Sequence, residues 1–226
     1  MTVRDTPPFS LYFSEWLGLH GRLAIWPDRT AARGRDGRGR AVLVFPGFMA
    51  HDVLTHRLRG TLALAGYRPF GWAEGVNLGA DVRIFDRLSA RLDQVVAAAS
   101  APVSLVGWSL GGIFARELAK RRPQAIDRVI TLGSPFSGDP RTNRLWRAYE
   151  LITGYPIDRP PFEADIAAKP PVPTFALWSR RDGVVAPSCA RGQPGERDAA
   201  IEVDCRHQGF VVERAALRAV LDALER

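Results

Sequence analysis

The chain has 226 residues, 46% hydrophobic and 24% charged, with a formal net charge of +7 carried almost wholly by arginine. That is enough to bury a sizeable core as one domain over residues 1–226, and too apolar for a largely disordered protein. No uninterrupted apolar run approaches the roughly 18 residues that a membrane-spanning helix needs.

The N-terminus lacks the charged start, apolar run and small-residue cleavage site of a signal peptide, so a cytoplasmic protein is the expectation unless a leader has been removed. The densest basic stretch, Arg29, Arg33, Arg35, Arg38 and Arg40, is interleaved with Gly34, Gly37 and Gly39. It reads as a loose, solvated loop. It carries no aromatic side chain to stack a base, and no nucleic-acid partner is expected.

Along the chain, Ala41–Phe45 is a continuous apolar run ending at Pro46-Gly47, the pattern of a strand buried on both faces. Leu54, Leu58, Leu62 and Ala65 recur at helical spacing over 52–65, closed by Gly66. A short strand follows over 67–72. Ile84, Leu88, Leu92, Val95 and Val96 then form one apolar stripe on a helix over 81–99. A strand over 102–106, a helix over 110–121 and a strand over 128–132 come next. Prolines dominate from Tyr155 to Pro173. Strands over 174–178 and 200–203 and a helix over 210–224 complete the chain. Val/Ile/Leu-rich strands alternating with helices predict an α/β fold, with a mostly parallel central sheet and helices on both faces. Reactive groups in such a sheet belong on the loops beyond the carboxyl ends of the strands.

One of those loops carries Gly107-Trp108-Ser109-Leu110-Gly111, a G-x-S-x-G run between a strand and a helix. A turn that sharp strains the serine backbone and leaves no room for flanking side chains, which is why glycines stand on both sides. Ser109 is therefore the candidate nucleophile, set at a helix N-terminus that favours developing negative charge. Of the four histidines, His20 precedes the first confident strand and His56 sits in a helix. His207 lies between the last strand and the last helix, on the loop side, and is the candidate base; His51, after a strand end, is the alternative. Asp182 follows the strand ending at Trp178 and is the candidate acid, ahead of Asp139, Asp158 and Asp165 in the irregular segment. The order is Ser109, Asp182, His207.

These residues resemble the α/β-hydrolase superfamily, and within it the small bacterial serine esterases and lipases. The resemblance runs from about Ala41 onward. It rests on Val44-Phe45-Pro46-Gly47-Phe48, Gly107-Trp108-Ser109-Leu110-Gly111-Gly112, Thr131-Leu132-Gly133-Ser134-Pro135-Phe136, Arg181-Asp182-Gly183 and His207. It implies a catalytic triad of Ser109, Asp182 and His207, an oxyanion hole from the backbone N–H groups of Phe48 and Leu110, and a small lid-like insertion over about 137–172, after strand 6. Pro46-Gly47-Phe48 departs from the His-Gly-Gly-Gly oxyanion loop, which makes bulky tertiary-alcohol esters a poor fit.

The chain is short for the superfamily, so the usual first antiparallel strands must be compressed before Arg40 or be absent. Trp146, Tyr149, Leu151, Ile152, Tyr155 and Phe162 are candidates to line the insertion. Met49, Phe136 and Trp178 are candidates for the substrate pocket. The glycine-rich loop over 71–79 lacks the spacing of a phosphate cradle, and Asn77 in it either orients the oxyanion loop or caps a turn, the cap being the favoured reading. Cys189 and Cys205 flank the Asp182 and His207 loops. A bridge there, as in several bacterial lipases, would staple them, whereas a cytosolic thiol pair would stay reduced; both states are carried forward. One nearby histidine cannot complete a metal site with them.

The expected activity is hydrolysis of a small-molecule ester or lipid through an acyl-enzyme, on short to medium acyl chains, with no metal and no organic cofactor. Thioester cleavage or acyl transfer on the same triad, and a hydrolase-fold binding protein without chemistry, are the alternatives. The sequence leaves oligomeric state open.

Overall fold

The structure is a computed structural model, and it describes residues 6–17 and 26–226. Six strands form one sheet: β1 Ala41–Phe45, β2 Arg68–Gly71, β3 Val103–Trp108, β4 Ile126–Leu132, β5 Thr174–Trp178 and β6 Ala199–Glu202. Their order is β2-β1-β3-β4-β5-β6, and every neighbouring pair is parallel. β1 is apolar throughout, and β3 and β5 are largely so, because both faces are covered. Successive side chains alternate between two cores. Val42 and Val44 of β1 and Val106 and Trp108 of β3 face one core, with Leu58 and Leu62 of α3 (His56–Leu64) and Leu217, Val220 and Leu221 of α8 (Arg214–Glu225). Leu43, Phe45, Val103 and Leu105 face the other, with Leu88 and Leu92 of α4 (Ile84–Ala99) and Phe114 and Leu118 of α5 (Leu110–Arg121).

Before β1 the described residues hold two helices, α1 Phe9–Leu17 and α2 Arg29–Ala32, in place of antiparallel strands. The segment over 137–172, expected as a lid-like insertion, accordingly follows the fourth strand of this sheet rather than a sixth. Its proline-rich chain contains α6, Trp146–Thr153, and the short α7, Pro187–Arg191, follows β5.

The arginine–glycine stretch is better anchored than its composition suggests. Asp28 caps α2 by accepting from Ala31 N, Arg35 pairs with Asp222 and Glu225 of α8, and Arg40 donates to Tyr67 Oη and the Leu224 carbonyl. No described helix is long and apolar enough to cross a membrane.

Candidate active site

The loops at the carboxyl ends of β1, β3, β4 and β5, with the loop after β6, converge on Ser109. Its backbone sits at φ 53°, ψ −124°, a region that L-residues rarely occupy. The neighbouring glycines are sterically required. A Cβ at Gly111 would lie 2.6 Å from the Phe45 and Pro46 carbonyl oxygens, and one at Gly112 2.5 Å from Ser134 Oγ. Ser109 N donates to the Leu132 carbonyl (2.9 Å), and Ser134 Oγ donates to the Ser109 carbonyl (2.6 Å). The strained turn is thus pinned to the end of β4.

Opposite it runs the turn Pro46-Gly47-Phe48-Met49. A Cβ at Gly47 would lie 3.1 Å from Ser109 Cβ, a tight contact that glycine relieves. Met49 also has a positive φ, 59°. Asn77 holds this turn. Fully buried, it donates Nδ2 to the Pro46 carbonyl (2.8 Å), while its own carbonyl accepts from Met49 N (2.7 Å). Its Oδ1 does cap a local turn, at Gly79 N (3.1 Å). Asn77 thus does both things the sequence offered, capping a turn and bracing the loop that carries Phe48.

Asp182 and His207 meet. His207 Nδ1 lies 2.8 Å from Asp182 Oδ2, both side chains being buried. Asp182 Oδ1 accepts from Val184 N and Val185 N, each at 2.8 Å, which fixes the carboxylate's rotation. Gly133 makes room for it, since a Cβ there would stand 2.9 Å from Asp182 Oδ2. Trp108, the residue before Ser109, donates its indole N–H to the His207 carbonyl (3.0 Å) and faces the imidazole at 5.7 Å between ring centroids. Burial, the largest single influence, lowers the His207 pKa. The Asp182 charge and hydrogen bond, with the charge of Glu15, more than offset it, and the net shift is upward.

Among the described residues none of the other candidates pairs with His207, although Asp158 and Asp165 border the same cavity as Ser109. His51 is exposed and caps a 3-10 turn by accepting from Val53 N. Asp139 caps another turn, and Asp158 pairs with Arg141. His56 begins α3, and His20 lies outside the described residues.

A cavity of about 300 Å3 opens beside Ser109, lined chiefly by apolar side chains: Phe48, Leu110, Ile113, Phe136, Trp146 and Tyr149 among them. Two of the three expected pocket residues are corrected. Phe136 lines it; Met49 and Trp178 do not. The Met49 side chain is 57% exposed on the outer side of its strained turn. Trp178 ends β5 on the sheet face that packs with Val184, Val185 and Cys189, where Arg180 and Arg191 cover its ring. Trp146 and Tyr149 reach the cavity from α6, whereas Leu151 and Ile152 turn to solvent and Phe162 packs on Phe85. Tyr155, half-buried, is not among the residues around the cavity.

The cysteines are not bonded to each other. Cys189 Sγ lies 3.2 Å from Thr142 Oγ1 in the Trp178 cluster, and Cys205 sits in the main core with Phe210. Burial pushes the Cys205 thiol pKa well up, which makes it a poor nucleophile. Among the described residues no group of three potential metal ligands occurs.

Sequence reasoning passed over Glu15. This buried residue of α1 accepts from Gly183 N (3.1 Å), His207 N (2.8 Å) and Gln208 N (3.4 Å).

No family model matches the chain. Over 49 residues, 22% of its length, it is 41% identical to a bifunctional biotin-biosynthesis protein of Teredinibacter turnerae, of which the match spans 9%. Solved structures match far more of it. Aspergillus fumigatus lipase B superposes with a TM-score of 0.61 at 17% identity, over 87% of this chain and 54% of the lipase. The monoacylglycerol lipase of Paleococcus ferrophilus gives 0.59 at 17% identity, over 84% and 95%. A thioesterase domain from the curacin biosynthetic pathway gives 0.55 at 17%, over 87% and 92%. The parallel sheet, its flanking helices and these superpositions establish that the chain has the α/β-hydrolase fold.

Proposed function

We propose that this protein hydrolyses carboxylic esters through an acyl-enzyme on Ser109. The observation that carries the reading is a serine at positive φ beside an apolar cavity, whose chain neighbour Trp108 packs on and donates to the His207 of the buried Asp182–His207 pair. The φ 53°, ψ −124° backbone of Ser109 costs about 1–3 kcal/mol, strain of the kind that gathers at active sites.

In this mechanism Asp182 accepts the Nδ1–H of His207, so Nε2 is left unprotonated and able to take the Ser109 proton. The Ser109 oxygen attacks the ester carbonyl, and the N–H groups of Phe48 and Leu110 receive the charged oxygen. Ser109 and both of those residues border the same cavity. The leaving alcohol takes the proton back from His207 as the carbonyl reforms. Water then repeats the sequence and frees the acid. The apolar lining suits an acyl chain, and a volume near 300 Å3 suits a short to medium one.

The test combines covalent labelling with turnover. A fluorophosphonate should add once, on Ser109, and aryl esters should be hydrolysed best at short to medium acyl length; wild-type protein that stays unlabelled and inert would refute the proposal. Likeness to a thioesterase domain favours one further comparison, of alcohol and thiol leaving groups on a single acyl chain.

A further inference from the structure

A buried carboxylate without a cation is expensive, because dehydrating the charge costs several kcal/mol that hydrogen bonds must offset. Among the described residues Glu15 is such a group. It is 3% exposed, and the described donors that hold it are backbone N–H groups.

The identity of those donors is informative. Gly183 follows Asp182, and His207 donates its own N–H, so a single oxygen, Oε1, bridges the two loops whose side chains meet at 2.8 Å. Glu15 Oε2 reaches on to Gln208 N. The approach is close enough that a Cβ at Gly183 would collide with the Leu11 carbonyl of α1. Arg144 ties down the segment leading into the helix by donating to the Pro7 carbonyl (3.1 Å).

We propose that Glu15 is a positioning residue, whose bridging oxygen holds the Asp182 and His207 loops at the spacing that lets the acid orient the base. It touches neither substrate nor imidazole. The inference rests on the esterase reading of Ser109, since orienting His207 matters only if His207 is the base. The charged groups acting on His207 are Asp182, from the loop after β5, and Glu15, from α1, and both favour the imidazolium. Trp108 and Phe210, the rings packed against it, are uncharged.

The test uses Glu15→Gln and Glu15→Ala in the full chain. Glu15→Gln keeps an oxygen that can accept from Gly183 and His207 but removes the charge. The acid limb of kcat/KM should then move to lower pH, with kcat at the plateau reduced only a few-fold. Glu15→Ala removes the bridge, and kcat should fall about 10- to 100-fold with KM nearly unchanged, because the cavity around Ser109 is built elsewhere. An NMR titration of the His207 ring in wild type and Glu15→Gln reads the same shift without turnover. Wild-type kcat and an unmoved His207 titration in both variants would overturn the role of Glu15. So would a loss of kcat in Glu15→Ala that tracks its fraction unfolded, with no shift in Glu15→Gln. Failure of the esterase reading shows separately, as a wild-type protein that no fluorophosphonate labels.

Discussion

A serine at positive φ is locally strained, whereas the carboxylate gripped by two backbone N–H groups and the imidazole made more basic by two negative neighbours are locally favourable. In the proposed reaction the three act together to make Ser109 a nucleophile. Ser109→Ala should lower ester turnover by about 10^4-fold or more and abolish labelling while leaving thermal unfolding near wild type; equal labelling of the variant would place the nucleophile elsewhere.

The pH dependence follows from His207. Its pKa in the folded protein lies above the ordinary histidine value, and only the neutral ring accepts the serine proton. The acid limb of kcat/KM should therefore have its midpoint above about 6.5, as a rate profile on a soluble ester would measure. At this scale the sequence was informative where a residue's demands are local. Gly-x-Ser-x-Gly announces a steric problem within five residues, and Asp182 and His207 each sit on a strand-end loop. Met49 and Trp178 were misplaced because which face a turn or strand end presents depends on neighbours distant in the chain.

At the scale of elements, α5 does two jobs. Its N-terminus presents Ser109. Further along, Arg116 Nη2 donates to the carbonyls of Ala167, Ala168 and Glu196, Lys120 donates to the Asp165 carbonyl, and Arg121 to that of Glu163. The segment from 163 to 168, part of which walls the cavity, is thus strapped to the nucleophile's own helix. Arg116 is fully buried with its guanidinium 4.0 Å from the Phe136 ring centroid, and burial lowers its pKa to about 10. Arg116→Met should cost about 2–4 kcal/mol by leaving those carbonyls unpaired, measured by denaturant unfolding. Its KM should rise several-fold while Ser109 still labels.

On the opposite side, Asn77→Ala removes the donor to the Pro46 carbonyl. We expect about 1–3 kcal/mol of destabilisation and a fall in kcat larger than any change in KM, because the Phe48 N–H loses its brace. The buried strands could be read from their Val/Ile/Leu runs and α4 from its apolar stripe. The short helix α6 could not, since prolines crowd the chain after it and only the cavity gives its Trp146 and Tyr149 a face to cover.

At the scale of the whole molecule, activity and stability respond to pH in opposite senses through the same residue. Because the His207 pKa is raised on folding, its contribution to stability is fully present below the unfolded value near 6.5 and fades as pH rises through the folded value. Activity gains over the window in which that contribution is lost. A His207→Gln variant should lose this component of the pH dependence of unfolding free energy, which denaturant titrations between about pH 5 and 8 would register.

The parallel topology followed from alternating strands and helices. What α1 does did not, because Glu15 meets its partners 168 and 192 residues further along the chain, and no window of sequence spans that. That separation sets an order of events on the ribosome. Glu15 emerges long before either partner, so it cannot be seated until synthesis has passed His207, and the Asp182 and His207 loops stay unbridged until then.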